Sequence, residues 1–448
     1  MTPEQTIDVW IREHLGARVI SITRQARWRA AWLVDVERDG ISLPLVVRGE
    51  RGADIPMQFP LRHEMSLQKT LAEQGIPVPT VYGWIDELPA YVMARVEGQP
   101  GFDGLSIEGR DAVMREYMAT LARLHRLPLQ PFIDAGVERA AAPAASGRYG
   151  IERFENVWGA GKSAPNPLLE FVLGWLKRNP VDTRGRESAI VWDSGQLHQK
   201  DGQLIALLDI EIGHIGDPMM DLAAPRMRDT VLHFGDFTVL YDAYEQAGGF
   251  PVDLDAVQLH HIAFTLTNEM AFRNSLNKPS ADSDYMTNLH WCSETNLHAI
   301  EALGERLDID LEPPEIPAAA PTRASVAHEQ LIEMLRGTAV DDDYATYRLR
   351  VAFRLARYLQ REDELGRDLT NADLADLVPL LGHRPATWRD GDAALENFVL
   401  SDHGEHDEEL CGLFYRRQTR HKATLGPPGS AMAAHHTCQP FKRADAPA

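Results

Sequence analysis

Acidic residues gather in the middle of the chain. Asp193 follows the apolar pair Val191-Trp192. Asp209 and Glu211 follow the apolar run Leu204–Leu208, and Asp217 and Asp221 lie within Gly216-Asp217-Pro218-Met219-Met220-Asp221-Leu222-Ala223. An acid before a short loop and hairpin, a second closing the hairpin, and two more in a helix-opening turn can hold a metal and orient a hydroxyl. Hard oxygen donors suit Mg²⁺, which keeps several waters and needs only one or two protein carboxylates. Asp217 and Asp221 also have a plainer role open to them as helix N-terminal caps. That role explains the helix opening but not Asp193 or Asp209.

The matching cation comes earlier. Arg48 closes the run Leu45-Val46-Val47, and Glu64 stands on the helical pattern that follows. Phosphoryl transfer needs a cation on the nucleotide phosphates, carboxylates on Mg²⁺ and a carboxylate for the accepting hydroxyl. The chain offers them in that order. Between them, Tyr91–Gly98 is an apolar strand ending at a glycine. It suits a hinge whose backbone amide and carbonyl pair with adenine, although a plain core strand would read the same way.

Runs at Val19–Thr23, Trp32–Val36 and Leu43–Arg48, the last two joined by the Asp39-Gly40 turn, read as strands. A helix over Leu61–Gln74 stops at Gly75 and Pro77, and Val78–Trp84 and Ala90–Val96 read as two more strands. From Gly98 the pattern turns helical, with Asp111–His125 carrying its apolar residues at a 3.6-residue period. One β-rich stretch, Ala189–Asp209, interrupts it. The expected fold class is α+β: a two-lobed, protein-kinase-like fold with a β-rich N-lobe and a helical C-lobe, followed by an all-α module. The boundaries read as 1–97 for the N-lobe, 98–311 for the C-lobe, 312–324 for a Pro/Ala-rich linker, 325–425 for the helical module and 426–448 for a disordered tail.

Acidic residues outnumber basic ones 66 to 45, for a net charge of −21. That field disfavours nucleic acid and anionic membrane as partners, so an anionic substrate would need a local basic pocket. No run reaches the roughly 18 apolar residues of a membrane span. The N-terminus is amphipathic rather than a secretory signal. Three scattered cysteines argue against a disulfide framework and for the cytoplasm.

Leu208-Asp209-Ile210-Glu211 with Gly216–Ala223, together with Arg62-His63-Glu64, Ile76-Pro77-Val78-Pro79, Tyr91-Val92-Met93 and Leu121-Ala122-Arg123-Leu124-His125, resembles the aminoglycoside phosphotransferase/choline kinase superfamily over roughly residues 15–310. The branch most resembled is the hydroxyacyl-CoA kinase group related to acyl-CoA dehydrogenase family proteins. Residues Tyr347–Glu362 resemble a small helical domain that accompanies such kinases, here placed in cis. The resemblance implies ATP and Mg²⁺ as cofactors and a small-molecule acceptor, with an acyl-CoA thioester as one class. It makes Asp193 the catalytic acid and Asp209 the main Mg²⁺ ligand. Asp221 would support the catalytic loop, with Asp217 beside it, and Arg48 and Glu64 would pair over the phosphates, with the hinge at Met93, Ala94 and Val96.

The sequence departs from the family at defined points. Val191 and Trp192 replace the His-Gly before the catalytic Asp. Counting without a gap puts His198 in the place of the metal-binding Asn, whereas a hairpin two residues shorter puts Gln196 there. The loop Arg24–Arg29 has no glycine to wrap phosphates, and its arginines are candidate substitutes. Three functions stay open: a phosphotransferase, a degenerate kinase fold that binds nucleotide or acyl-CoA as a scaffold, and an aminoglycoside-type antibiotic kinase.

Overall fold

The computed structural model describes residues 1–25, 29–51, 55–281, 283–426 and 437–441. Helix α1 (Pro3–Leu15) opens with a Thr2/Gln5 capping box and stops at Gly16 in the left-handed conformation. Strands β1 (Arg18–Arg24), β2 (Ala31–Arg38) and β3 (Ile41–Gly49) form an antiparallel meander. Asp39 and Gly40 both have positive φ, the geometry that a two-residue hairpin turn needs. After α2 (Leu61–Glu73), strands β4 (Val81–Ile85) and β5 (Ala90–Ala94) complete a sheet of order β1-β2-β3-β5-β4. Ile7, Trp10 and Ile11 of α1 pack on Trp32, Val34, Val36 and Leu45 of that sheet, and Trp10 Nε1 donates to the Trp84 carbonyl at 2.9 Å. The expected strand and helix order is present, with ends shifted by a few residues.

The short β6 (Gln99–Pro100) leads to α3 (Ile107–His125), α4 (Gln130–Asp134), α5 (Ser146–Gly161) and α6 (Pro167–Arg178). Strand β7 (Ser188–Ile190) pairs with β10 (His214–Gly216), and between them β8 (Leu197–Lys200) and β9 (Gln203–Leu207) form the hairpin foreseen in the β-rich stretch. Then follow α7 (Met219–Leu232), α8 (Phe237–Gln246), α9 (Leu254–Thr265), α10 (Thr267–Asn277), α11 (Tyr285–Leu307), α12 (Ser325–Gly337), α13 (Asp343–Arg361), α14 (Arg367–Asp376), α15 (Val378–Leu381), α16 (Trp388–Ser401) and α17 (Asp407–Leu425). The chain is therefore mixed, with a β-rich N-terminal region, a helical body and C-terminal helices. Among the described residues, no helix is long and apolar enough to cross a membrane.

Contacts divide the chain elsewhere than composition does. Residues 1–153 with 182–257 form one compact unit, and residues 154–181 with 258–448 form the other. The first holds both the β-sheet region and the acidic loops that the sequence places in separate lobes. Residues 310–322 have no regular element, as the Pro/Ala composition suggests. The helices beyond them nevertheless share a core with earlier ones, since α17 packs on α11 and α16 on α6. Phe414 stacks on Phe171 with centroids 5.4 Å apart. Apolar burial, not the linker, sets that division. Of the expected tail, 437–441 is described, and Phe441 N donates to Glu305 at 2.7 Å; 427–436 and 442–448 lie outside the described residues.

Candidate active site

The acidic loops are positioned by α7. Its first-turn Asp221 is fully buried, and it accepts from the backbone amides of Val191 at 3.1 Å and Trp192 at 2.6 Å. The same carboxylate lies 3.0 Å from His125 Nε2, and His125 Nδ1 lies 2.8 Å from the Tyr244 hydroxyl. Ser194 Oγ donates to the Asp221 carbonyl at 2.6 Å and Gly195 N to the Tyr117 hydroxyl at 2.5 Å. A buried, fully bonded polar network of this kind holds a loop in one conformation. Asp217 lies outside that network. It takes the Arg186 guanidinium at 3.1 and 3.2 Å and the Met219 amide at 3.2 Å, at the start of α7.

Trp192 adopts φ 55°, where a non-glycine residue is strained. This is the position where the resembled family has glycine. The indole is 1% exposed and lies edge-on to His214, with centroids 5.4 Å apart. A Cβ built on Gly150 would meet the Trp192 ring at 2.4 Å, so helix α5 gives up a side chain to admit the indole.

Asp193 and Asp209 meet through Gln196. The Gln196 amide lies 2.6 Å from Asp193 Oδ2 and 3.1 Å from Asp209 Oδ2. The Leu208 amide donates to the Gln196 carbonyl at 3.0 Å, which places residue 196 opposite the strand end that carries Asp209. His198, the candidate of the gap-free count, also lines the cavity beside these groups. His198 stands two residues further along β8, opposite Ala206, where it hydrogen-bonds the Glu97 backbone and burial lowers its pKa. Gln196 is the residue brought beside both carboxylates.

The basic side is denser than the sequence suggests. Arg48 Nε lies 2.7 Å from Glu64, and its guanidinium also pairs with Asp209. Arg29 pairs with Glu64 at 2.9 Å and also with Glu211, which Arg51 contacts too. The Tyr91 hydroxyl lies 3.0 Å from Glu64 Oε1 and 3.0 Å from Gln68 Oε1, with one proton to give. Burial alone would raise the Asp209 carboxyl, but Arg48 and Arg29 hold it well below the usual range. Asp193 shifts the other way, because its burial outweighs its cation. That cation is Arg228 of α7, which grips Asp193 through Nε at 2.9 Å and Nη2 at 2.5 and 2.7 Å. The sequence reading passes over Arg228, although it follows Asp221 by seven residues, two helical turns, and so shares its face. Of the arginines proposed as phosphate contacts, Arg29 is buried in the Glu64 network and Arg24 is exposed on β1. Arg27 lies outside the described residues.

A cavity of about 430 Å³ connects these groups, within the size range of small-molecule sites. Arg48, Glu64, Gln196 and Asp209 line it along with the apolar Leu33, Val46, Met93, Ala94, Val96 and Leu207. The Ala94 amide is taken by the Thr80 carbonyl at 2.8 Å and the Arg95 amide by Pro44 at 3.0 Å. Among the described residues, no cluster of three His, Cys, Asp or Glu could hold a metal. The Asp209 carboxylate fits Mg²⁺, whose remaining ligands are commonly waters and substrate phosphates. Gln196, whose Nε2 faces both carboxylates, would ligate through its amide oxygen.

Residues 28–260 match the family model described as "Phosphotransferase enzyme family". The human acyl-CoA dehydrogenase family member 11 is 28% identical over 185 residues, which cover 38% of this chain and 23% of that protein. The probable acyl-CoA dehydrogenase IBR3 of Arabidopsis thaliana is 27% identical over 183 residues, covering 36% and 22%. The match thus spans less than a quarter of these curated relatives. Among solved structures, a choline kinase from Streptococcus pneumoniae is similar at TM-score 0.45 and 16% identity, covering 65% of this chain and 96% of that one. A macrolide 2'-phosphotransferase from Brachybacterium faecium is similar at TM-score 0.44 and 20% identity, covering 62% and 94%.

Proposed function

Because the chain belongs to the phosphotransferase enzyme family, we propose that it transfers the γ-phosphoryl group of ATP, with Mg²⁺, to the hydroxyl of a small molecule, with hydroxyacyl-CoA thioesters as the acceptor class. The observation that carries this reading is the Asp193–Gln196–Asp209 cluster, with Asp209 and Gln196 lining a cavity that also has an apolar wall. Acyl-CoA acceptors are supported by the names of the relatives that match.

In this reading Met93, Ala94 and Val96 border the adenine. Arg48, aligned by Glu64, contacts the phosphates. Asp209 and Gln196 would hold Mg²⁺, which when bound neutralises charge on the phosphate oxygens. Asp193 accepts the proton of the acceptor hydroxyl as its oxygen bonds to the γ-phosphorus and the β,γ-bridging bond breaks, releasing ADP. Asp221 keeps the Asp193 loop in place, and Asp217 fixes the start of the same helix through Arg186. The helices from 325 to 425 act as an accessory module in cis. The proposed compartment is the cytoplasm, in keeping with Cys292 and Cys411 as buried thiols.

The test is phosphoryl transfer to a panel of hydroxyacyl-CoAs and amino sugars. Asp193→Ala should lower kcat by at least about 10²-fold, roughly 2.7 kcal/mol, with little change in ATP affinity. A variant as active as wild type would remove Asp193 from the chemistry.

A second reading, a nucleotide-binding fold without transfer, is favoured by one observation. Arginines of the chain itself already pair with both key carboxylates, Arg228 with Asp193 and Arg48 with Asp209. ATP with Mg²⁺ raises Tm under either reading; only the first gives a phosphorylated product.

A further inference from the structure

The Asp193 carboxylate has no acceptor position left over. An ionised carboxylate offers about four lone-pair sites. Arg228 Nε and Nη2 reach Oδ1 at 2.9 and 2.5 Å, Nη2 also reaches Oδ2 at 2.7 Å, and Gln196 reaches Oδ2 at 2.6 Å. A hydroxyl cannot donate to Asp193 until one of these donors moves.

The donor able to move is Arg228. Gln196 is tied at its backbone to Leu208 and at its amide to Asp209 as well. Arg228 sits well along α7, its side chain is 21% exposed, and its described hydrogen bonds all go to Asp193. Its stem lies along Gly195, where a Cβ would meet Arg228 Cδ at 3.4 Å.

A guanidinium leaves a forked carboxylate most readily for another oxygen acceptor on the incoming molecule. A second carboxylate matches it in strength and geometry, and a thioester carbonyl offers one weaker, neutral oxygen. We propose that Arg228 determines specificity: it selects acceptors bearing a carboxyl-derived oxygen, from a free acid or a thioester, close to the reacting hydroxyl. It releases Asp193 by moving its fork onto that oxygen. The inference rests on the phosphotransferase reading above and narrows its substrate class. Alcohols lacking such an oxygen leave the fork on Asp193 and transfer slowly, as do cationic alcohols, which the guanidinium repels.

The experiment compares wild type, Arg228→Ala and Arg228→Lys, each checked for an unchanged thermal melt. The acceptors are 3-hydroxybutyryl-CoA, free 3-hydroxybutyrate, 2-butanol and choline. Wild type should favour the first two in kcat/KM, and their order tells thioester from free acid. Arg228→Ala should lose at least about 10-fold on the preferred acceptor while 2-butanol stays level or improves, which compresses the selectivity. Arg228→Lys, with charge but no fork, should fall between them. An equal loss on every acceptor would reduce Arg228 to a structural prop and overturn the proposal, as would a wild-type preference for choline or 2-butanol. If wild type phosphorylates none of the four, calorimetric binding of 3-hydroxybutyryl-CoA and 3-hydroxybutyrate with ADP decides. Binding weakened in Arg228→Ala keeps the carboxyl-oxygen site and sinks the kinase reading, and binding that is absent or unchanged sinks both.

Discussion

Each unit of the molecule contains a polar cavity lined by arginine–carboxylate pairs, and the two are built differently. In the second unit, a cavity of about 330 Å³ is bordered by Glu269, Arg273, Asp373, Asp392, Arg417 and His421. Glu269 and Arg273 are one turn apart on α10, at 2.6 and 3.1 Å, and Asn166 and Asn296 complete the shell of Glu269. Asp373 and Asp376 of α14 take Arg420 of α17 at 2.8 Å. All of these acids sit within regular helices. In the first unit, Asp193 and Asp209 sit just beyond strand ends, and both Trp192 and Asp209 have positive φ. Similar ion pairs therefore serve two purposes. Those within and between helices fasten the fold, and those beyond the strand ends, under the proposed function, hold the reacting groups on a strained backbone.

The contrast breaks first, if it breaks, at Asp209. Asp209→Asn should cut transfer at least about 10³-fold with the fold retained, because Arg48 keeps Glu64 as partner. Turnover within a few-fold of wild type would end its assignment as metal ligand. Glu269→Ala should behave oppositely. Arg273, 26% exposed, would lose its carboxylate, and Asn166 and Asn296 would lose their buried acceptor. That destabilises by about 2 kcal/mol, read as a lower urea midpoint, while kcat per folded molecule stays within about twofold. A folded but inactive Glu269→Ala protein would make the second cavity part of the reaction.

Acid sharpens the comparison, because each unit holds a histidine, one buried and one half-buried, whose pKa falls from 6.5 to about 4. His63 in the first and His421 in the second are lowered chiefly by burial. The unfolded chain binds the proton more readily, so stability is full above about pH 6.5 and falls as pH drops toward 4. Each site should cost roughly 2 kcal/mol by pH 5. Thermal melts at pH 7 and pH 5 should show the loss smaller by roughly 2 kcal/mol in His63→Gln or His421→Gln, with His198 and His290, also lowered by burial, contributing to the remainder; an undiminished loss would clear the substituted histidine. The smallest effect is expected from a cut. Proteolysis within 312–324 should leave both fragments co-eluting, with transfer changed by less than about twofold, because packing such as Phe414 on Phe171 does not depend on the linker. Separation of the fragments on a sizing column would restore the linker as a true domain boundary.

Much of the first unit was legible in sequence because its signals are local. The Asp39-Gly40 turn, the Gly75/Pro77 stop and the Gly216–Ala223 stretch each act through backbone geometry within a few residues. Helix α17 was missed: its apolar positions are sparse and its arginines are spent on pairs with Asp373 and Asp376, which no local period reveals. The Asp193–Gln196–Asp209 meeting needed the hairpin register, which shows only once Gln196 is seen opposite Leu208. Arg228 could have been found from its two-turn spacing to Asp221. Its grip on Asp193 is a matter of tertiary distance. The contact-based division into units follows tertiary packing in the same way, since composition marks a linker but says nothing of what packs across it.

The wedge of Trp192 beside Gly150 has an evolutionary consequence. The two positions trade volume, so neither can change freely alone. A lineage that places an indole at 192 must keep 150 bare, and one that returns glycine to 192 removes the strain of the positive φ. It does not by itself open position 150, because His214 Cε1 would still stand 2.7 Å from a Cβ there. The exchange therefore links three positions. Gly150→Ala is blocked by the ring 2.4 Å away and by His214, and Trp192→Gly with Gly150→Ala should fold well only once His214 is also made smaller.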